Sequence, residues 1–181
     1  MILLIGGSSH TGKTALAQRM IEKYHFSCFS LDHLKMGLIR SGKTTLTPMD
    51  DDKMTDLLWP IVKEMIKTAI ENGQNMIIEG CYFPYDWKRY FGEEYLPHIR
   101  LVCLVMTERY IEEHFDDIRK YASVIEDRGE DADCTKEWLL RNNQICLKNC
   151  RKYGCETILI EEEYKVDIEL AGYGESGKRC R

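Results

Sequence analysis

No apolar run in this chain approaches the roughly 20 residues needed to cross a membrane, and positive charge is not in excess. Lys and Arg number 25 against 30 Asp and Glu, a formal net charge of −5. A membrane-spanning protein is not expected, nor is a general nucleic-acid binder, whose domain would carry a clear basic surplus. The cysteines, 8 in all, lack the paired C-x-x-C knuckles of a structural zinc site. Internal repeats and long low-complexity tracts are also missing. The opening "MILLIGGSS" has four apolar residues, no positive region before them and a glycine turn directly after. That is too short for a secretory signal and reads as a buried strand, so a cytoplasmic protein with reduced thiols is expected. Cys28, Cys81 and Cys103 lie in strand-like apolar runs where a thiol serves as a small hydrophobe. Cys146, Cys150 and Cys155 form a tighter cluster to which the pattern assigns no role.

What is present is ordinary globular composition, 44% hydrophobic and 30% charged over 181 residues, enough for one domain with a proper core. Apolar runs at Ile2–Ile5, Ser27–Leu31, Asn75–Glu79, Ile99–Met106 and Thr157–Ile160 read as strands. Helical patterns fall between and after them: Lys13–Tyr24, Asp32–Arg40, Asp51–Asn72, Thr107–Tyr121 and Thr135–Tyr153. Strands alternating with helices, and apolar on both faces, predict a parallel sheet covered on both sides. In the long third helix Met54, Leu57, Ile61, Met65 and Ala69 keep the 3.6-residue period, and Pro60 should kink or divide it. The acidic "MDDD" before that helix could hold a metal. The preferred reading is a set of caps, because first-turn carboxylates meet free N–H groups and the positive end of the helix dipole.

The stretch Gly7-Ser8-Ser9-His10-Thr11-Gly12-Lys13-Thr14 fits G-x-x-x-x-G-K-[ST] at every fixed position. Gly7 and Gly12 let the backbone turn so that consecutive N–H groups point inward at phosphate oxygens. The helix beginning near Lys13 adds its positive end. The Lys13 ammonium can bridge the outer phosphates, and the Thr14 hydroxyl can take one position on Mg²⁺. A strand directly before the loop and a helix directly after it supply the required context. Residues Gly7 to Ala15 are therefore expected to bind ATP, with His10 contributing backbone and turning its ring to solvent. The fold expected is α/β: a three-layer P-loop NTPase fold, with a five-stranded parallel sheet, helices on both faces and a small lid. Residues 1–170 would form the domain, with the lid at about 119–134 and a loose tail at 171–181. Guanine-reading N-K-x-D and switch D-x-x-G motifs are absent; "YKVD" at Tyr164–Asp167 has Tyr where Asn would stand. The third strand ends in a single acid, Glu79, rather than the Asp-Glu or Asp-Asp pair of a motor ATPase.

The acceptor side is read from the ends of the neighbouring strands. Asp32 closes the second strand, where it can accept a hydroxyl proton, hold magnesium through water, or cap the next helix. Lys35 and Arg40 lie off the apolar face of that helix and suit an anionic substrate, or simply a solvated face. Glu79 is a buried-strand acid that needs a partner or a role, with substrate hydrogen bonding preferred to a water-mediated magnesium contact. Arg119 and Arg128 flank or occupy the lid and could close on the transferring phosphoryl group.

Several of these stretches together resemble the small P-loop kinases, the group of adenylate, shikimate and gluconate kinases, and most closely the 2-phosphoglycerate kinase-like family. The resemblance rests on the "GGSSHTGKT" loop, the Asp-led "DHLKMGLIR", "IIEGCYFP", His114 and Phe115 before Arg119, and Arg141 with Gln144. It implies ATP and Mg²⁺, a lid bearing arginines, and phosphoryl transfer to a small phosphorylated or carboxylated hydroxy compound. Lys35 stands where that family has Arg, and Tyr82 where it has His; both differences fall on the acceptor side. Alternatives remain open: a nucleoside monophosphate kinase, or a non-catalytic ATP-binding regulatory protein. The expected partner is a small molecule, with the chain as monomer or homodimer.

Overall fold

Each apolar strand needs cover on two faces, and the helices between strands provide it. A computed structural model of the chain describes residues 1–121 and 134–173. Five strands, β1 (Ile2–Gly7), β2 (Ser27–Ser30), β3 (Met76–Glu79), β4 (Ile99–Met106) and β5 (Glu156–Ile160), form one sheet in the order β2-β3-β1-β4-β5. Every pairing is parallel. The helices are α1 (Lys13–Tyr24), α2 (Leu31–Arg40), α3 (Asp51–Glu71), α4 (Glu108–Tyr121) and α5 (Lys136–Tyr153). The expected elements are all there, with ends moved by a residue or two.

The two-residue period of a strand divides the core. Ile2 and Leu4 of β1, with Leu101, Cys103 and Val105 of β4, face a layer containing Met54, Leu58, Val62 and Ile66 of α3. Leu3 and Ile5, with Val102, Leu104 and Met106, face the opposite layer, where Leu16, Met20 and Tyr24 of α1 pack with Ile111 of α4. β1 is buried from Ile2 to Gly6 because it is flanked on both edges and covered on both faces, and its C-terminal end delivers the glycine-rich loop.

Three expectations change. Helix α3 runs undivided through Pro60. The ring is on the exposed side, and so is Asp56, whose carbonyl loses its helical donor and can turn to water instead. Cys28 and Cys81 are exposed rather than core, because β2 is an edge strand and Cys81 lies past the end of β3; only Cys103 of that trio is buried. The acids before α3 do not cap it with their side chains: Asp50 accepts from Thr47 N–H (2.9 Å) and Thr47 Oγ1 (2.8 Å) instead.

Candidate active site

The loop after β1 has the backbone its glycines require. Gly7 (φ 123) passes so close to β4 that a Cβ there would run into the Leu104 backbone. Gly12 (φ 80) opens α1 with no side-chain cap on the first helical N–H groups. Those amides, at the positive end of the helix, are left for an anion. Ser8 Oγ is buried with no hydrogen-bond partner, a polar atom turned inward beside the loop. Lys13 is buried, and its Nζ donates to the Ser8 carbonyl at 2.6 Å, which holds the ammonium against the loop. Thr11 Oγ1 donates to the same carbonyl at 2.8 Å. These features fit a nucleotide triphosphate: free amides, a lysine tethered in place and an unsatisfied hydroxyl converge on one turn.

Glu79 ends β3 beside this loop, in register with Ile5 of β1 and Ser30 of β2, and is 2% exposed. Thr14 Oγ1 donates to its carboxylate, Oε2, at 3.4 Å. A hydroxyl and a buried carboxylate side by side suit a hydrated Mg²⁺, which keeps several waters and takes few protein ligands. Among the described residues no cluster of three or more His, Cys, Asp or Glu is placed to hold a metal without such help.

The second group of candidates meets one strand further along. β2 ends at Ser30, so Asp32 is in the first turn of α2 rather than at the strand end, and Ser30 takes the capping position. Lys35 is neither on a solvated face nor open to a ligand. It is buried, and Nζ donates to Asp51 Oδ1 and to Tyr82 Oη, each at 2.7 Å. Tyr82 donates in turn to the same Asp51 oxygen at 2.7 Å. Burial first, then the bond to Asp51, with Asp32 adding its charge, pushes the Tyr82 phenol well above its usual range. Arg40 ends α2 and is exposed.

A cavity of about 370 Å³ opens on the other side of the loop, lined by His10, Gly12, Ala15, Met106, Tyr110, Ile118 and Tyr164 among others. Its size and largely apolar wall suit a flat heteroaromatic ring. α4 bends at His114 (φ −122, ψ 20), and beyond the bend Asp117, Ile118 and Tyr121 reach the cavity. Tyr164, from the segment after β5, donates to the Thr11 carbonyl at 3.2 Å and leans across Gly12. The His10 ring does not simply face solvent: it lines this cavity and meets Trp138 edge-on at 6.0 Å. Sequence reasoning missed Tyr164, Tyr110 and Met106, since aromatic and apolar residues at those places read equally well as core. Arg119 is exposed near the end of α4, its guanidinium 6.0 Å from the Phe115 ring. Arg128 and most of the expected lid lie outside the described residues, as does the tail beyond residue 173. Arg141 and Gln144 are on the exposed side of α5.

No protein-family profile and no curated relative matches the sequence. Solved structures do match it. A sugar kinase from Janibacter sp. HTCC2649 is 15% identical, with 88% of this chain and 84% of that chain covered and a TM-score of 0.52. Deoxyadenosine kinase from M. mycoides, solved with bound dATP, is 14% identical, with 93% of each chain covered and a TM-score of 0.51. The five-stranded parallel sheet and its covering helices thus form the α/β fold that these two structures share.

Proposed function

We propose that the protein is an ATP- and Mg²⁺-dependent phosphotransferase that delivers the γ-phosphoryl group to a hydroxyl of a small anionic metabolite. The observation that carries this reading is the grip: uncapped amides at the start of α1, Lys13 held at the loop, and Thr14 beside buried Glu79. Both structures compared above are named as kinases of small molecules, which agrees with it. Lys13 neutralises charge on the transferring group. Thr14 and Glu79 would hold a hydrated Mg²⁺, which would supply positive charge to the outer phosphates. Asp32 orients the acceptor hydroxyl and takes its proton. With Lys35 matched by Asp51, the acceptor's negative charge falls to Arg40 and, on closure, to Arg119 and Arg128 of a lid spanning about 119–134. Lys35 acts on the acceptor by positioning Tyr82. The motifs quoted above favour the 2-phosphoglycerate kinase-like family within this fold, a single domain over 1–170, and a cytoplasmic monomer or homodimer.

The test is ADP release from Mg-ATP against hydroxy acids, sugar acids, aminoglycosides, nucleosides and nucleoside monophosphates. One acceptor should raise turnover a hundredfold or more over background, about 3 kcal/mol of barrier. The Asp32→Asn variant should lose most of that gain. Stimulation by a nucleoside monophosphate that survives Asp32→Asn would replace this reading with a monophosphate kinase. A flat panel despite tight ATP binding would favour a regulatory ATP-binding protein.

A further inference from the structure

The end of α5 gathers thiols that the kinase reading does not use. α5 stops at Tyr153, and Gly154 follows in the left-handed conformation (φ 64). The Cys155 N–H then turns back to the Cys150 carbonyl at 2.9 Å. This helix closure brings the side chain three residues before the last helical one against that of the second residue beyond it. In this chain both are cysteines. Cys103 from β4 and Cys146, one turn earlier on α5, are buried with Cys150 in one core cluster, and Cys155 packs against it. Cys103, Cys146 and Cys150 are at most 3% exposed, whereas Cys155 is only partly buried.

Cys155 also lines a cavity of about 410 Å³ with Trp87, Lys88, Arg100 and Glu156. Arg100 is the second residue of β4 and Glu156 the first of β5, so the cavity opens at the end of the sheet opposite the glycine-rich loop. A solute in it meets one thiol directly, and a second stands behind. The Cys155 Sγ donates to the Tyr85 carbonyl at 3.3 Å. Cys103 first, and then the Lys88 charge, hold this thiol below its ordinary range against the opposing effects of burial and Cys150. The thiolate is the reactive form.

We propose that Cys155 is an oxidant-reactive thiol that forms a disulfide with Cys150, a modification site remote from the phosphate grip. The oxidant class is a peroxide. The Cys155 thiolate attacks one peroxide oxygen and the O–O bond breaks; the leaving hydroxide takes up a proton, and Cys155 becomes a sulfenic acid. Cys150 sulfur then attacks Cys155 sulfur, and the sulfenic hydroxyl departs as water with the Cys150 proton. Two thiols are oxidised to one disulfide while one peroxide is reduced to two waters. The step is independent of nucleotide and acceptor, so it stands or falls apart from the kinase reading.

The experiment treats native protein with hydrogen peroxide, alkylates it, digests it with trypsin without reduction and maps it by mass spectrometry. Cleavage at Arg151 and Lys152 separates Cys150 from Cys155, so their disulfide appears as a cross-linked peptide pair that dithiothreitol removes. In Cys150→Ala, Cys155 should instead be trapped by dimedone as the sulfenic acid. Exposed Cys28 and Cys81 are the internal controls for indiscriminate oxidation. The proposal is overturned if Cys150 and Cys155 stay alkylatable after peroxide treatment, if only the controls oxidise, or if Cys155 pairs with Cys103. The wild-type map decides this even if Cys150→Ala folds poorly.

Discussion

The Tyr164 hydroxyl donates to the Thr11 carbonyl at 3.2 Å, which ties the segment after β5 to the loop after β1. The same ring lines the cavity of about 370 Å³ and occupies the space a side chain at position 12 would need. One residue thus braces the phosphate grip and walls the adjoining pocket. Tyr164→Ala should weaken ATP binding by about tenfold, about 1.4 kcal/mol, through lost ring contact. Tyr164→Phe should cost only a few-fold, since a single neutral hydrogen bond contributes about 1 kcal/mol. Titration with a fluorescent nucleotide measures both, and unchanged affinity in Tyr164→Ala would remove the ring from the nucleotide site.

The Thr14–Glu79 contact makes a separate prediction. If Glu79 holds the water shell of Mg²⁺, Glu79→Gln should raise the Mg²⁺ concentration for half-maximal ADP release several-fold. Acceptor KM should stay nearly level, because Mg²⁺ depends on carboxylate charge that the amide lacks. A Mg²⁺ curve that does not move, together with a raised acceptor KM, would return Glu79 to the substrate-binding role.

Asn143 is 2% exposed and joins α5 to β4: Oδ1 accepts from Met106 N–H at 2.8 Å, and Nδ2 donates to the Leu139 carbonyl at 2.9 Å. Asn143→Ala strands a buried N–H and leaves a small void. A loss of roughly 2–3 kcal/mol is expected in urea unfolding. A loss below about 0.5 kcal/mol would mean that water replaces the side chain.

High pH should find its target in buried phenols. Burial first, then the Asp51 bond, raises the Tyr82 phenol above its usual range; burial first, then the thiol of Cys146, raises that of Tyr85. Each folded value lies above the unfolded one, so the stabilisation is fully present below about pH 10 and is lost as pH rises further. Phenolate absorbance should therefore show Tyr82 and Tyr85 among those of the 10 tyrosines that titrate only as the protein unfolds, a step reduced by one phenol in Tyr82→Phe. Smooth titration of all phenols ahead of the loss of helical signal would contradict this.

Much of this was legible in the order of residues. The glycine-rich loop is specific because each fixed position answers a local demand. Gly7 must clear Leu104, Gly12 must open the helix, and Lys13 and Thr14 must follow at once. Strand and helix periods are local too, so the elements and their parallel arrangement followed from spacing alone. Burial at an edge is different. Cys28 and Leu4 both belong to strand-like apolar runs, and only the neighbours decide that one is exposed and the other enclosed.

The acceptor side shows the same division more sharply. By sequence, Lys35 is a cation on the polar side of a helix near a candidate acid, and Asp51 is one of three acids ahead of another helix. Folding puts Asp51 and Tyr82, 16 and 47 residues further along the chain, 2.7 Å from Lys35 and matches this candidate cation with a carboxylate of the chain itself. The conformation of the glycine-rich loop was determined by the sequence itself, because consecutive amides and their flanking residues are set by local backbone geometry. Which cations are already matched, which aromatics wall the pocket and which cysteines touch was decided only in three dimensions. Those outcomes depend on partners supplied by distant strands and helices, and no local spacing encodes them.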